Sequence, residues 1–345
     1  MSQPGYAKIL PKLRIALANL AKTDDIRSLA LVESFEEALR DAGEFKVLKE
    51  EKLEAKSFSE IERALNRIVV KYTLKLAKIA PEPADKVAKA YLCTYILGDL
   101  LSIFRRTALG APLSIETLVT PDIPGTPLYG LEEESLEAPK QLLARIKTPE
   151  ARKFASDALE AFQKTGDPGI YDLYQPLIRP VLIQSALQGL DIQSKQAVEQ
   201  VACPRLIYTL VSGLLYSSRT KTPVEVLSAA YNGINVCKFN WTTIRQVYEN
   251  NSGDPEQLFS ELKRKFPMFE GRNYIEALKN ARSTSLRESR KRSLAQFTGY
   301  PFHAGLIAAS IELLEHEVRD IRAVLSGKLY NVYPEKIYTV ISREL

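Results

Sequence analysis

Histidine and cysteine are nearly missing from this chain, with two and three among 345 residues. His303 and His316 are too few for a histidine-based metal cluster, and they stand far from the four-residue spacing that puts two ligands on one helix face. Both are expected to be structural, and no metal site is expected. Cys93, Cys203 and Cys237 are an odd, widely spaced set, which makes no disulfide framework. Each sits in an apolar context where a free thiol packs as a small hydrophobe, so a reducing compartment is expected. No apolar run approaches the ~20 residues a membrane span needs. The start, Met1-Ser2-Gln3-Pro4-Gly5-Tyr6, lacks the apolar core of a signal peptide. The expected location is therefore cytoplasmic.

Catalytic signatures are missing too. There is no Gly-x-x-x-x-Gly-Lys-Ser/Thr phosphate loop and no Gly-x-Ser-x-Gly elbow. An all-α terpenoid synthase would need a metal-binding Asp cluster on a helix. Asp24-Asp25 is the one Asp-Asp pair, and it reads as the acidic start of a helix. No catalytic residue, cofactor site or enzyme activity is expected.

Charge is balanced, with 47 basic against 42 acidic residues and a formal net charge of +5. The signs are mixed along most of the sequence, unlike the concentrated basic footprint of a nucleic-acid binder. The exception is Arg282, Arg287, Arg290, Lys291 and Arg292, with Glu288 inside the run. It reads as a solvated helix face or as a contact for an acidic neighbour. No aromatic residue is interleaved there to stack on bases.

What the sequence does contain is helix periodicity. Ile61, Leu65, Ile68, Tyr72, Leu76 and Ile79 line one face of a helix. Ser59 and Glu62 form a capping-box pattern at its start, and Pro81 and Pro83 stop it. A second long helix follows over residues 84–106, then Gly110, Pro112 and a short helix capped by Ser114. Breaks at 120–130 and 250–255 divide the chain into three parts, 1–122, 123–252 and 253–345. Each part runs short helix, long helix, long helix, short helix: 25–42, 149–164 and 255–266, then 59–79, 170–190 and 273–295, then 84–106, 194–218 and 302–326, then starts at Ser114, Thr222 and Pro334. The middle part is irregular. Pro176 and Pro180 should kink its first long helix, and Pro204 should split its second. Tyr171, Tyr174, Tyr208 and Tyr216 gather there, as core or as a gripping surface. The expected fold is all-α.

In the last long helix Ile307, Ile311, Leu314, Val318, Ile321 and Leu325 alternate by four and three, a seam for a partner helix. Glu312, Glu315, Arg319 and Arg322 occupy its other face. Glu312–His316 and Glu315–Arg319 are expected as four-apart pairs. Gly327 is expected to end the helix in a left-handed cap.

Glu317-Val318-Arg319-Asp320-Ile321-Arg322, with Gly327-Lys328, resembles the Glu-x-x-Asn-Ile-Arg…Gly-Lys signature of the C-type stalk component of archaeal A-type ATP synthases, the counterpart of the d-type component of vacuolar-type ATPases. Asp99 and Arg105 echo it in the first part. Asp99 and Asp320 replace the family's Asn, and the second part carries Val211 and Ser217 at the polar positions. The resemblance implies three helical pseudo-repeats arranged as a funnel. It implies a non-catalytic central-stalk adaptor, peripheral on the inner face of the membrane. Its partners would be the rotor-ring subunits and the subunits of the soluble central shaft, and it would pass torque between them. A helical-repeat scaffold of another assembly stays open as an alternative, and so does a nucleic-acid-binding helical protein.

Overall fold

The computed structural model describes residues 3–49, 51, 57–112, 114–132 and 139–343. Met1 and Ser2 at the start of the chain lie outside them. The protein is all-α, with one two-residue β-hairpin among the described residues.

Three helices open the chain: α1 (Gln3–Ala18), α2 (Thr23–Leu31) and α3 (Phe35–Gly43). Periodicity alone joins 25–42 into one helix. Ser34 divides it, capping α3 by accepting from the Glu37 amide at 3.1 Å. Asp24 and Asp25 do begin α2. The first long pair is α4 (Phe58–Ile79) and α5 (Asp85–Ala108). The capping box of α4 belongs to Ser57 and Glu60, two residues ahead of the expected pair. The Glu60 amide donates to Ser57 Oγ at 3.3 Å, and the Ser57 amide donates to Glu60 Oε2 at 2.8 Å. By length and composition α5 could cross a membrane, yet 72% of its apolar window is buried inside the protein. A short 3-10 helix, Ile115–Thr117, follows.

The middle of the chain holds α6 (Pro139–Arg145), α7 (Pro149–Thr165), α8 (Gly169–Tyr174), α9 (Ile178–Leu187), α10 (Ile192–Arg219), α11 (Val224–Tyr231) and α12 (Trp241–Asn250). Pro176 and Pro180 break the expected long helix into α8, a 3-10 turn and α9. Pro204 does not split α10, contrary to expectation. A proline inside a helix removes one hydrogen bond, at a cost of about 3 kcal/mol. The carbonyl that loses its donor is that of Gln200; Ser289 Oγ donates to the neighbouring Val201 carbonyl at 3.2 Å, tying α10 to α14 at this turn. Packing against neighbouring helices keeps the rest of α10 continuous.

The hairpin β1 (Asn235–Val236) and β2 (Phe239–Asn240) turns through Cys237 and Lys238, both left-handed. Cys237 is bonded to Cys203 of α10, with Cα atoms 5.3 Å apart. This corrects the expectation of free thiols and removes the argument for a reducing compartment. Thirty-four residues separate the pair, so neither spacing nor context announces it. Cys93 is free and buried.

The last segment contains α13 (Pro255–Lys265), α14 (Tyr274–Ala295), α15 (Gly305–Leu329) and α16 (Pro334–Tyr338). The long helices pack in a closed circuit: α4 on α5, α5 on α9, α9 on α10, α10 on α14, α14 on α15, and α15 back on α4. Helix α15 also meets α10, α5 and α1–α3. Its whole predicted seam is buried, and so are most of its polar residues.

Helices α5, α10 and α15 stop in the same way. Gly110, Lys221 and Asn331 are left-handed, with φ of 60°, 55° and 53°. The next amide donates back in the Schellman pattern: Ala111 to Arg106 at 3.0 Å, Thr222 to Ser217 at 2.9 Å, Val332 to Gly327 at 2.7 Å. Pro112, Pro223 and Pro334 then prevent the helix from continuing. Gly327 is therefore not the cap. It lies in the last turn of α15, where an added Cβ would come within 2.6 Å of Ile337 Cγ1 in α16. Gly327→Ala is expected to lower stability by about 1–3 kcal/mol through overpacking, less the helix propensity Ala brings. Ile337→Ala added to it should recover part of that loss, read as coupling in a denaturation double-mutant cycle.

Candidate functional site

The most concentrated chemistry lies where α15 faces α5, α9 and α10. Glu312 and Glu315 project from one side of α15 and are sealed from solvent. Arg179, from α9, reaches Glu315 at 2.7 and 2.5 Å and Glu312 at 3.4 Å. Arg205, from α10, binds Glu312 and lies 2.5 Å from Glu315. From α5, Tyr91 Oη donates to Glu312 Oε1 and Tyr95 Oη to Glu315 Oε1, each at 2.8 Å. The Arg179 guanidinium also lies over the Tyr91 ring, 5.1 Å from its centroid. Two buried carboxylates thus balance two buried guanidinium groups, and the hydroxyls occupy remaining lone pairs.

Burial disfavours the charge on Glu315, but Arg179 and Arg205 outweigh it and hold the carboxyl well below the usual range. Burial likewise works against the Arg179 charge, and Glu315 and Glu312 raise its pKa above normal. Burial pushes the Tyr91 hydroxyl far up, and Glu312 adds to that. Glu315 is thus held ionised and Tyr91 protonated near neutral pH.

Of the two expected four-apart pairs, Glu312 and His316 do approach each other, whereas Glu315–Arg319 is corrected. Glu315 pairs with Arg179 and Arg205 rather than with Arg319. His316 lies 3.9 Å from Glu312 but contacts Ser289 Oγ at 3.1 Å. Burial, then Arg205, Arg319 and Arg290, pushes the His316 pKa well below its ordinary value. The folded protein keeps this ring neutral while the unfolded chain takes up a proton as pH falls below about 6.5. Stability is thus complete above that pH and falls below it, by up to about 1.4 kcal/mol per pH unit, through the folded pKa. Comparing wild type with His316→Gln in urea melts from pH 7.5 to 5.5 should show a shallower slope in the variant. The difference isolates the histidine from other titrating groups.

Beside this cluster is a cavity of about 220 Å³. Asn66, Tyr95, Arg179, Arg205, Arg319 and Arg322 line it, so residues from the first, middle and last parts of the chain meet there. Arg322 donates to Asn66 Oδ1 at 2.6 Å and lies 3.5 Å from Glu62 Oε1.

The motif residues of α15 tie the two ends of the chain together. Glu317 accepts from the Ala21 amide at 2.8 Å and from Arg343. Burial raises its pKa, with Arg343 opposing. Lys328 Nζ donates to the Val32 carbonyl at 2.5 Å. Ile321 is fully buried. Asp320 accepts from the Ser342 amide at 2.7 Å, Ser342 Oγ at 2.8 Å and Arg343 Nε at 2.9 Å.

Asp99 does the same work on α5. It accepts from the Val119 amide at 3.0 Å, the Thr120 amide at 2.7 Å and Thr120 Oγ1 at 2.6 Å. Burial raises its pKa, with the Thr120 bonds opposing. In the register set by the helix stops, these aspartates align with Leu210 on α10, not with Val211. There Tyr231 Oη donates to the Leu210 carbonyl at 3.3 Å, passing over Gly213. The tie survives with its donor and acceptor supplied differently. Arg105 falls elsewhere in this register from Arg322. It makes a surface ion pair with Asp172 at 3.0 Å.

The basic run on α14 is not one surface. Arg282, Lys291 and Arg292 are exposed, and Arg292 pairs with Glu288 at 3.1 Å. Arg287 and Arg290 are partly buried. Burial, then Arg343, lowers the Arg290 pKa. The tyrosines also divide. Tyr171 and Tyr174 are core residues, Tyr208 stacks on Phe269, and Tyr216 is 64% exposed. His303 is buried, and burial lowers its pKa.

Comparison with known families adds an independent observation to these ties. Residues 9–174 match the model of the ATP synthase (C/AC39) subunit family. That segment, a little under half of the chain, is similar to the family. It contains Asp99 and Arg105, whereas Glu317 to Lys328 lie beyond the matched residues. No curated protein matches the chain. The match agrees with the resemblance read from the α15 motif, which lies outside it.

Proposed function

We propose that this protein is the non-catalytic central-stalk adaptor of a rotary A/V-type ATPase. It would link the membrane rotor ring to the soluble central shaft and transmit torque for ion-coupled ATP synthesis or hydrolysis. The match of residues 9–174 to the C/AC39 family carries the reading. In this reading residues 1–122, 123–252 and 253–345 are three pseudo-repeats closing into a funnel, peripheral on the cytoplasmic face. The recurring helix stops and the Asp99, Tyr231 and Asp320 ties support three related units.

The physics suits a coupling part. Long helices in a closed circuit resist shear, and α15 cannot slide on α9 or α10 without unpairing a buried charge. Arg282, Lys291 and Arg292 are the exposed members of the proposed partner contact, with Arg287 and Arg290 behind them. Its exposed residues would each meet an acidic neighbour on the ring or shaft.

Reconstitution of the complex with and without this chain tests the proposal. Omission should leave ATP hydrolysis by the soluble head in place and abolish ion transport coupled to it. Coupled transport at an unchanged rate without the chain would reject the role. In the same preparation, Arg282→Glu with Lys291→Glu should reduce incorporation at low salt.

A further inference from the structure

The cavity among α4, α5, α9, α10 and α15 carries an unbalanced charge. Arg179 and Arg205 are matched by Glu312 and Glu315. Arg319 is a third, partly buried guanidinium in the same space, without a hydrogen bond or ion pair among the described residues; its Nε is sealed from solvent and its terminal amino groups face the open side of the cavity. Arg322 adds a fourth, donating to Asn66 Oδ1 and ion-paired through its Nε with Glu62 at 3.5 Å. Burial, then repulsion from Arg205, lowers the Arg319 pKa to about 10. A guanidinium carries its donors in a rigid fork that matches oxyanions, and here that fork has unbonded donors turned into the cavity. The volume, about 220 Å³, exceeds what one water needs and admits a small tetrahedral anion with waters. Glu315 also lines the space. Both of its oxygens are held by Arg179, Arg205 and Tyr95, so its charge is already neutralised.

We propose that this cavity is a binding site for one phosphate-type oxyanion, held chiefly by Arg319 and closed at its mouth by Arg322 and Asn66. The anion would complete the charge balance at the junction of the three parts of the chain. The site does not depend on the central-stalk reading, and a chain from any other assembly would carry it equally.

The test uses the purified full-length chain and inorganic phosphate, by isothermal titration and thermal melting, against sodium chloride at equal ionic strength. A saturable single-site response to phosphate is expected. Arg319→Gln should weaken it by about tenfold or more, the loss of charge-assisted hydrogen bonds. Arg322→Gln should weaken it by a smaller factor. Arg319 has no partner to abandon, so Arg319→Gln should fold and melt no lower than wild type in the absence of phosphate. Arg319→Lys, which keeps the charge and loses the fork, should also bind more weakly than wild type. Acetate at the same concentration should give little response. Phosphate binding unchanged in Arg319→Gln, no saturable response, or a response equalled by chloride or acetate would each overturn the proposal.

Discussion

Arg205→Met is expected to lower the unfolding free energy by about 3–5 kcal/mol, the scale of breaking a buried ion pair from one side. Glu312 is fully buried and Glu315 nearly so, and Arg205 touches both. Without it, Arg179 is the one guanidinium still bonded to the two carboxyl groups, in a medium that screens poorly. The tyrosine hydroxyls donate hydrogen bonds but carry no charge. Adding Glu315→Gln to Arg205→Met leaves one carboxylate against one guanidinium and should recover most of the loss. Urea denaturation followed by circular dichroism gives the comparison. A single variant within about 0.5 kcal/mol of wild type would show that this cluster behaves like a surface ion pair.

Asp320→Leu should cost a similar amount, about 3–5 kcal/mol, by a different route. It removes the acceptor for Ser342 and leaves Arg343, whose side chain is 2% exposed, with Glu317 as its remaining carboxylate. Asp320→Asn keeps one carbonyl oxygen for the Ser342 amide and should cost about 1–3 kcal/mol. Hydrogen exchange separates a local from a global effect. In Asp320→Leu the Ser342 amide should lose protection ahead of α5 and α10. The matching change, Asp99→Leu, should expose the Val119 and Thr120 amides instead.

The elements that could be read from the sequence were those fixed by local pattern. The α15 seam from Ile307 to Leu325 follows from spacing alone, because one helix face repeats every three or four residues whatever it packs against. The same reasoning misassigns Glu312 and Glu315. A charged stripe opposite an apolar seam has the spacing of a solvated face, and only a partner distant in sequence reveals burial. Arg179 and Arg205, more than a hundred residues from Glu312, give no signal of their own.

Pro204 shows the same limit from the other side. Its local cost is real, but Ser289 comes from a helix some eighty residues later. The Cys203–Cys237 bond depends on a hairpin turn that places Cys237 against α10, and no spacing rule contains that turn. By contrast the aspartates of the motif stand out by their sequence context, though not for their work. Their role as anchors for the segment some twenty residues ahead becomes visible in Asp99 and Asp320 together, and Tyr231 then explains how the middle part manages without one.

The central claim is that this chain belongs to the rotor between a membrane ring and a soluble shaft. Affinity capture of the tagged chain from native membranes, extracted in mild detergent and read by mass spectrometry, tests it most directly. Rotor-ring and central-shaft subunits should be recovered in fixed proportion to the chain, stable to washing. Recovery of the chain free, with no ATPase subunit above the level of an untagged control, would contradict it.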